Sequence, residues 1–249
     1  MYVLTQIRDH DETITIYETN ELYGEMGRFR VMAFHDDAVQ GVLDLRDPAR
    51  IVLEYPKAML HLMNEWLPSF QHIFLIGYGT GTIARALEEK GKNVMAVDIS
   101  RPVIELSQAY FYQPKSNVQL GDGRAILEHQ PAGSMDYILI DAFTESGIPY
   151  HLSTYEFFAL VQQKLAPHGI LMMNVIGRPD GDYRVQALAD TMGAVFEYTH
   201  TFALHAKQVS IEQNMLLIAS AYPLDLPSTT AVAGFYPTAL IPMGIVQWD

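Results

Sequence analysis

Cysteine is missing from all 249 residues. Disulfides, thiolate metal ligands and a cysteine nucleophile are therefore excluded, and the composition fits a reducing compartment. Basic residues are scarce: 16 Lys and Arg face 29 Asp and Glu, for a formal net charge of −13. A surface of that sign repels phosphate backbones, so nucleic acid is not expected as a partner. It attracts small cations and it also aids solubility, and charge alone does not separate these uses. No apolar run approaches the ~18 residues of a membrane span. The segment "MYVLTQIRDHDE" turns polar too early for a signal peptide. The expectation is a soluble cytoplasmic protein that does not enter a membrane. No G-x-S-x-G elbow surrounds Ser107, Ser134 or Ser153, which argues against a serine hydrolase. The nine histidines form no H-x-x-x-H pair, and "HDD" at 35–37 reads as a turn, so no metal is expected.

What the chain does contain is apolar residues, 49% of it, enough for a sizeable core. Its length suits one α/β domain with a small added element. Residues 1 to about 50 read as short strands. In "TITIYE", Ile14 and Ile16 fall on one face and Thr13 and Thr15 on the other. "RFRVMAF" and "AVQGVLDL" are β-rich and flank turn residues. A helix follows in "YPKAMLHLMNEWL", with Ala58, Leu62 and Met63 on one side and Pro68 beyond its end.

From residue 72 strands and helices alternate. The strands are "HIFLIG", "NVMAVDI", "VQLG", "YILIDAF", "ILMMNVI", "AVFEYTHTF" and "NMLLIASA"; the helices are 81–90, 102–111, 122–129, 154–166 and 183–193. Met172 and Met173 sit in a strand and read as core. This alternation predicts an α/β fold with a doubly wound, mostly parallel sheet. The last two strands follow each other closely and predict an antiparallel edge hairpin. The tail from about 222 matches no element. The division expected is a β-strand unit at 1–54 and a Rossmann-like domain at 55–249.

The chemistry concentrates at strand ends. "GYGTGT" follows a strand and opens a helix, a setting for a nucleotide-type ligand. Its spacing is G-x-G-x-G at Gly77, Gly79 and Gly81. The dinucleotide fingerprint asks for Gly or Ala at 82, where this chain has Thr82. The spacing therefore favours an adenosyl ligand over NAD. The next strand ends in Asp98, whose two oxygens match two vicinal ribose hydroxyls. After the third strand comes Gly121-Asp122-Gly123, where Asp122 either caps a helix or accepts from an adenine amino group.

These residues resemble the spermidine synthase (polyamine aminopropyltransferase) family over about residues 30–220. The family's G-G-G-D-G-G loop corresponds to Gly77-Tyr78-Gly79-Thr80-Gly81-Thr82, its ribose acid to Asp98, and its G-D-G to residues 121–123 without change. Its D-S-S-D-P run corresponds to "LIDAFTESGIP", with the leading acid at Asp141. Its D-G-x-x-Q element corresponds to Asp36-Asp37-Ala38-Val39-Gln40, and its helix-opening tyrosine to Tyr55. The stretch "IPYHLSTYEFF" is similar to a spermidine synthase-like branch common in bacteria. Ordinary methyltransferases carry an acid two residues before the first glycine, and here that position is Leu75. Three departures fall on the amine-recognising parts. The glycine-loop acid is Thr80, the second acid of D-S-S-D is Thr144 with Glu145 beside it, and the pair after the tyrosine is Pro56-Lys57.

The resemblance implies a methyltransferase-like Rossmann domain behind a small N-terminal antiparallel β unit, assembled as a homodimer. It implies aminopropyl transfer from decarboxylated S-adenosylmethionine, a co-substrate rather than a tightly bound cofactor, to a small cationic amine such as putrescine, with methylthioadenosine leaving. In that reading Gln40, Gly77, Gly79, Thr80, Asp98, Asp122 and Gly123 hold the donor. Asp141 is the catalytic acid–base group, and Tyr55 and Glu145 line the acceptor site. The plainer readings are a loop cap for Asp141, a core position for Tyr55 and a solvated loop acid for Glu145. His151, in the loop after Asp141, is within reach of a substrate. Two other functions compete: an S-adenosylmethionine-dependent methyltransferase, and a non-catalytic adenosyl-binding relative.

Overall fold

The computed structural model describes residues 1–9, 12–34, 38–112, 117–144, 147–205, 208–226 and 231–249. The turn at 35–37 lies outside them, as does Glu145. Four strands, β1 (Tyr2–Asp9), β2 (Glu12–Leu22), β3 (Glu25–Ala33) and β4 (Val39–Asp44), form an antiparallel meander in the order β1-β2-β3-β4. Alternation decides which face is covered. Ile14 and Ile16 are fully buried and, with Met32 and Leu43, pack on Val103, Leu106 and Phe111. The inner face of the meander thus sits on helix α3 (Arg101–Tyr110), and Arg30 donates to the Tyr110 carbonyl at 2.8 Å.

Helix α1 (Glu54–Trp66) crosses to the second layer. Pro56 is tolerated in its first turn because an amide there needs no partner within the helix. Ala58, Leu62 and Met63 are fully buried, as the spacing predicts. The main sheet comprises β5 (His72–Ile76), β6 (Asn93–Asp98), β7 (Val118–Leu120), β8 (Met135–Ile140), β9 (Leu165–Gly177), β10 (Tyr198–Ala203), β11 (Gln213–Ser220) and β12 (Tyr236–Pro237). Its order is β12-β10-β11-β9-β8-β5-β6-β7. Helices α2 (Thr82–Glu88), α3, α4 (Gly123–Glu128), α5 (Tyr155–Lys164) and α6 (Tyr183–Gly193) link the strands. The sheet separates two apolar clusters, one under α1 and α2 and one under α5 and α6.

The expected α/β doubly wound sheet and the antiparallel N-terminal sheet are both present. Several boundaries differ from the sequence reading. β8 ends at Ile140, so Asp141 is the first residue beyond the strand. α5 stops at Lys164 and β9 begins at once, where the sequence suggested helix to 166. Residues 194–197, read as strand from "AVFE", close α6 instead: Ala194 donates to the Asp190 carbonyl at 2.9 Å and Phe196 to the Met192 carbonyl at 2.9 Å. The β10–β11 hairpin is antiparallel as expected, but β11 enters between β9 and β10, and β12 covers the outer edge of β10. No helix among the described residues is long and apolar enough to cross a membrane.

Candidate active site

The chain winds outward from β5 to β6 and β7, then returns to the other side of β5 as β8. Such a reversal opens a crevice at the carboxyl ends of the strands. Gly77 and Asp141 face each other there, each one residue beyond its strand. Gly77 has φ +90°, and a Cβ built on it would stand 2.1 Å from the Asp141 carbonyl oxygen. Only glycine combines that backbone angle with that approach. Gly79 and Gly81 also have positive φ, and Gly81 begins α2.

Asp98, at the end of β6, accepts from the Tyr78 amide at 2.8 Å through Oδ2 and from the Ser100 amide at 2.9 Å through Oδ1. Burial raises its pKa above the ordinary carboxylate range despite these backbone donors, and Asp9 adds repulsion. Asp9 arrives from β1, where its Oδ2 accepts from the Ser100 hydroxyl at 2.5 Å. The Gly79 amide also bonds the Asp98 carboxylate, which with three backbone donors still has acceptor capacity left for a further donor.

Asp122 is the N-cap of α4: its Oδ1 accepts from the Ala125 amide at 2.8 Å. Its other oxygen lies 2.8 Å from His151 Nε2, and Arg124 donates to the His151 carbonyl at 3.0 Å. The capping alternative is therefore realised, with one oxygen still turned toward the cleft wall. Gly123 admits Ile76 closely, since a Cβ there would fall 2.5 Å from its Cγ2. Asp98, Asp122, Gly123, His151, Gly77 and Gln40 share a cleft of about 620 Å³.

A second cleft of about 1130 Å³ lies on the other side of Asp141. Gln40, Gly79, Asp141, Phe143 and Thr144 border both clefts, so the two are lobes of one site meeting at Asp141. Tyr55, in the first turn of α1, donates its hydroxyl to Asp141 Oδ2 at 2.9 Å. Asn174 of β9 donates to Oδ1 at 2.9 Å. Burial pushes the Asp141 carboxyl up; the bonds from Asn174 and Tyr55 pull it back, and Asp98 pushes it further up. Tyr55 is itself raised well above the usual phenol range, by burial and by the Asp141 charge, so its proton stays on the oxygen.

The structure thus gathers Gln40, Tyr55, Gly77, Gly79, Asp98, Asp122, Gly123 and Asp141 around one cleft. Thr80 is placed differently. Its side chain is buried, its hydroxyl lies 3.0 Å from that of Thr82, and a Cβ on Gly41 of β4 would come within 2.2 Å of its Oγ1. Thr80 packs against Gly41 and, with Gln40, Tyr55, Gly77, Gly79 and Asp141, lines a small cavity of about 20 Å³ beside the two lobes. Thr144 exchanges backbone bonds of 2.8 and 2.9 Å with Gly147 and borders both lobes. Sequence reasoning passed over Asn174, Asn214 and Asp9. Asn174 had a signal: it is the lone polar residue of the apolar run "ILMMNVI", near the end of a strand. Asp9 and Asn214 had none, because only packing brings β1 and β11 to this edge.

Residues 53–215 match the spermine/spermidine synthase domain. The chain is 33% identical to a polyamine aminopropyltransferase of Chromobacterium violaceum over 182 residues, which cover 70% of this chain and 67% of that protein. Across its first curated relatives the matched stretch spans 67% or less of the relative's length. In fold it resembles a probable spermidine synthase from Corynebacterium glutamicum, with TM-score 0.76 and 19% identity over 92% of this chain and 84% of that one. A spermidine synthase solved with the transition-state analogue AdoDATO aligns at TM-score 0.67 and 18% identity, over 89% of this chain and 73% of that one. The matched stretch contains Tyr55, the glycine loop, Asp98, the G-D-G turn, Asp141 and Asn174, and on that ground the chain belongs to the spermine/spermidine synthase domain family.

Proposed function

We propose that the protein transfers an aminopropyl group from decarboxylated S-adenosylmethionine to a polyamine such as putrescine and releases methylthioadenosine. The observation that carries this reading is the position of Asp141, held by Tyr55 and Asn174 where a nucleoside-sized lobe meets a second, larger one. The reaction is an in-line displacement. The amine nitrogen attacks the carbon beside the sulfonium, the carbon–sulfur bond breaks, and its electron pair neutralises the sulfur. Positioning supplies much of the rate in such a step. An alkylamine with pKa ~10.4 is neutral in roughly one molecule in a few thousand at pH 7. A carboxylate beside the nucleophile draws in the cation and then accepts the proton that attack releases. Asp141 has that place, with its elevated proton affinity suited to the acceptance.

Asp98 supports the reading by offering its free lone pairs to the ribose, Asp122 by offering Oδ2 to the base, and Gln40 by bordering both lobes from β4. Tyr55 orients the carboxylate and walls the acceptor lobe. Glu145 is assigned to amine binding on its sequence position beside Thr144 alone. Asp141 opposes a donor that retains its carboxylate, which favours the decarboxylated donor over S-adenosylmethionine. The same reading makes the protein a cytoplasmic homodimer with a β unit at 1–54 and a catalytic domain at 55–249. Exposed Tyr2, Val3 and Met26 on the N-terminal sheet support self-association there, and light scattering tests it. For the activity, calorimetry with both donors and mass analysis of products from a panel of di- and triamines decide. Tighter binding of S-adenosylmethionine, or no aminopropylated product with any amine, overturns the proposal.

A further inference from the structure

A parallel sheet offers only strand ends to its carboxyl edge. The antiparallel insertion of β11 changes that, because the first residues of β11 reach the same edge as the last residues of β9. Asn214 pairs in register with Ile176, and Asn174 with Leu216. Asn214 and Asn174 are therefore diagonal neighbours on one face of the sheet, within reach of each other. Asn214 Nδ2 donates to Asn174 Oδ1 at 3.1 Å, and Asn174 Nδ2 donates to Asp141 Oδ1 at 2.9 Å. Both asparagines line the acceptor lobe, and Asn174 is only 1% exposed.

A primary amide has two orientations that exchange its nitrogen and its oxygen. With nitrogen toward Asp141, it supports the ionised carboxylate. With oxygen toward Asp141, it repels the carboxylate and accepts only from the protonated acid. With Asn214 presenting Nδ2, its hydrogen bond is compatible with the first orientation alone, since Nδ2 cannot donate to an NH₂ group, and reversing Asn174 requires both amides to turn together.

We propose that Asn214 is a positioning residue: it locks the Asn174 amide so that Asn174 donates to Asp141, and so keeps Asp141 an ionised acceptor able to take a proton. This rests on the reading of Asp141 as the proton acceptor. The other groups facing Asp141 are Tyr55 from α1, which donates to it, and Asp98 from β6, which repels its charge. Glu54, Arg184, His205 and Glu212 border the same lobe. None of these replaces the lock, because none holds the Asn174 oxygen.

The test compares Asn214→Leu, which removes the donor at similar volume, with Asn214→Asp, which can only accept and so turns the Asn174 nitrogen away from Asp141. At pH 6 the expected loss of kcat/KM is about tenfold for the leucine variant, the worth of the Asn174 bond to the charged Asp141 once that amide is free to turn. The loss is larger for the aspartate variant, and both losses shrink toward pH 8. Titration of the Asp141 carboxyl carbon by NMR, with its signal assigned from Asp141→Asn, moves upward in the order wild type, leucine, aspartate. A structural role predicts a loss independent of pH and an unmoved titration, and either result overturns the proposal. If the aspartate variant does not fold, the leucine variant decides alone. The titration needs no turnover. Absence of aminopropyl transfer in the wild type would sink the proposed function while leaving this inference to the NMR result.

Discussion

Replacing Gly77 with alanine separates the two demands that the switch point makes on its residue. One demand is a backbone angle and the other is space. Gly91, at the end of α2, has φ +74° and nothing within 4 Å of where a Cβ would stand, so Gly91→Ala meets only the first demand. A Cβ in the left-handed region costs about 1 kcal/mol. Gly77→Ala meets both. Its Cβ would lie 2.1 Å from the Asp141 oxygen and 2.6 Å from the Asp141 carbon. Ordinary contact begins at 3.4 Å, so the two strand ends must separate by 3.4 − 2.1 = 1.3 Å. Forcing an extra carbon into a packed contact adds about 1–3 kcal/mol. Gly77→Ala should then destabilise the protein by roughly two to four times as much as Gly91→Ala. At ~2–4 °C per kcal/mol for a chain of this size, thermal unfolding resolves the difference. Displacement of that size at the reacting carboxylate costs about 10²-fold in rate. Calorimetry with methylthioadenosine and a turnover assay complete the comparison. Equal losses of stability in the two variants, with normal nucleoside binding in Gly77→Ala, would refute the argument that the glycine is there for Asp141.

Tyr55→Phe removes the hydroxyl donor from a buried carboxylate whose pKa is already raised, so kcat/KM at pH 6 should fall about tenfold, with the deficit narrowing by pH 8; a uniform deficit at all pH values would assign Tyr55 to packing alone. Thr80→Asp places a carboxylate under Gly41 instead of in the donor lobe, so it should lower stability by roughly 1–3 kcal/mol without tightening donor binding; tighter binding would show that the side chain does reach the ligand. Asp249 is held near pKa 2 by hydrogen bonds from Arg124 and then Thr154. A depressed carboxylate contributes stability above its unfolded pKa and loses it as pH falls through the folded value, so the tail should detach between about pH 4 and pH 2. Trp248, stacked on Tyr155 with ring centroids 4.6 Å apart, reports this by fluorescence in a Trp66→Phe background, and the transition should vanish in Asp249→Asn.

The parts of this protein legible in its sequence are those whose geometry is local. The glycine loop, Asp98 and Asp122 each sit within a few residues of a strand end, so alternation of apolar runs and turns locates them directly. Ile14 and Ile16, or Ala58 and Met63, follow from period alone. The misread boundaries share a cause. Ala194–Glu197 carry strand-like side chains, yet Ala194 and Phe196 complete backbone bonds to α6, and tertiary context overrides propensity. The insertion of β11 between β9 and β10 leaves no mark in either neighbour's own pattern, because alternation shows which face a strand buries and not which strand lies beside it. Thr80 shows the opposite limit. Motif alignment gives its place in the glycine loop but not its packing against Gly41, 39 positions earlier in the chain.

These two limits explain why the nucleoside half of the site reads more clearly than the amine half. The lobe proposed for the nucleoside takes Gly77, Asp98, Gly121 and Asp122 from the carboxyl ends of β5, β6 and β7, and strand order fixes where they stand. The acceptor lobe is assembled from α1, β4, the loop after β8, the end of β9 and the start of β11. Its polar groups meet only after the antiparallel strand is in place. The acids that a family comparison would look for at 80 and 144 are threonines, and both are engaged locally, with Thr82 and Gly147. Around Asp141 stand Asn174 and Tyr55, neutral groups that donate to the carboxylate without adding charge, with Asn214 donating to Asn174 behind them. Under the proposed function, amine recognition depends on how firmly one carboxylate is kept ionised. That makes the acidic limb of the pH–rate profile the measurement most sensitive to the side chains that differ here.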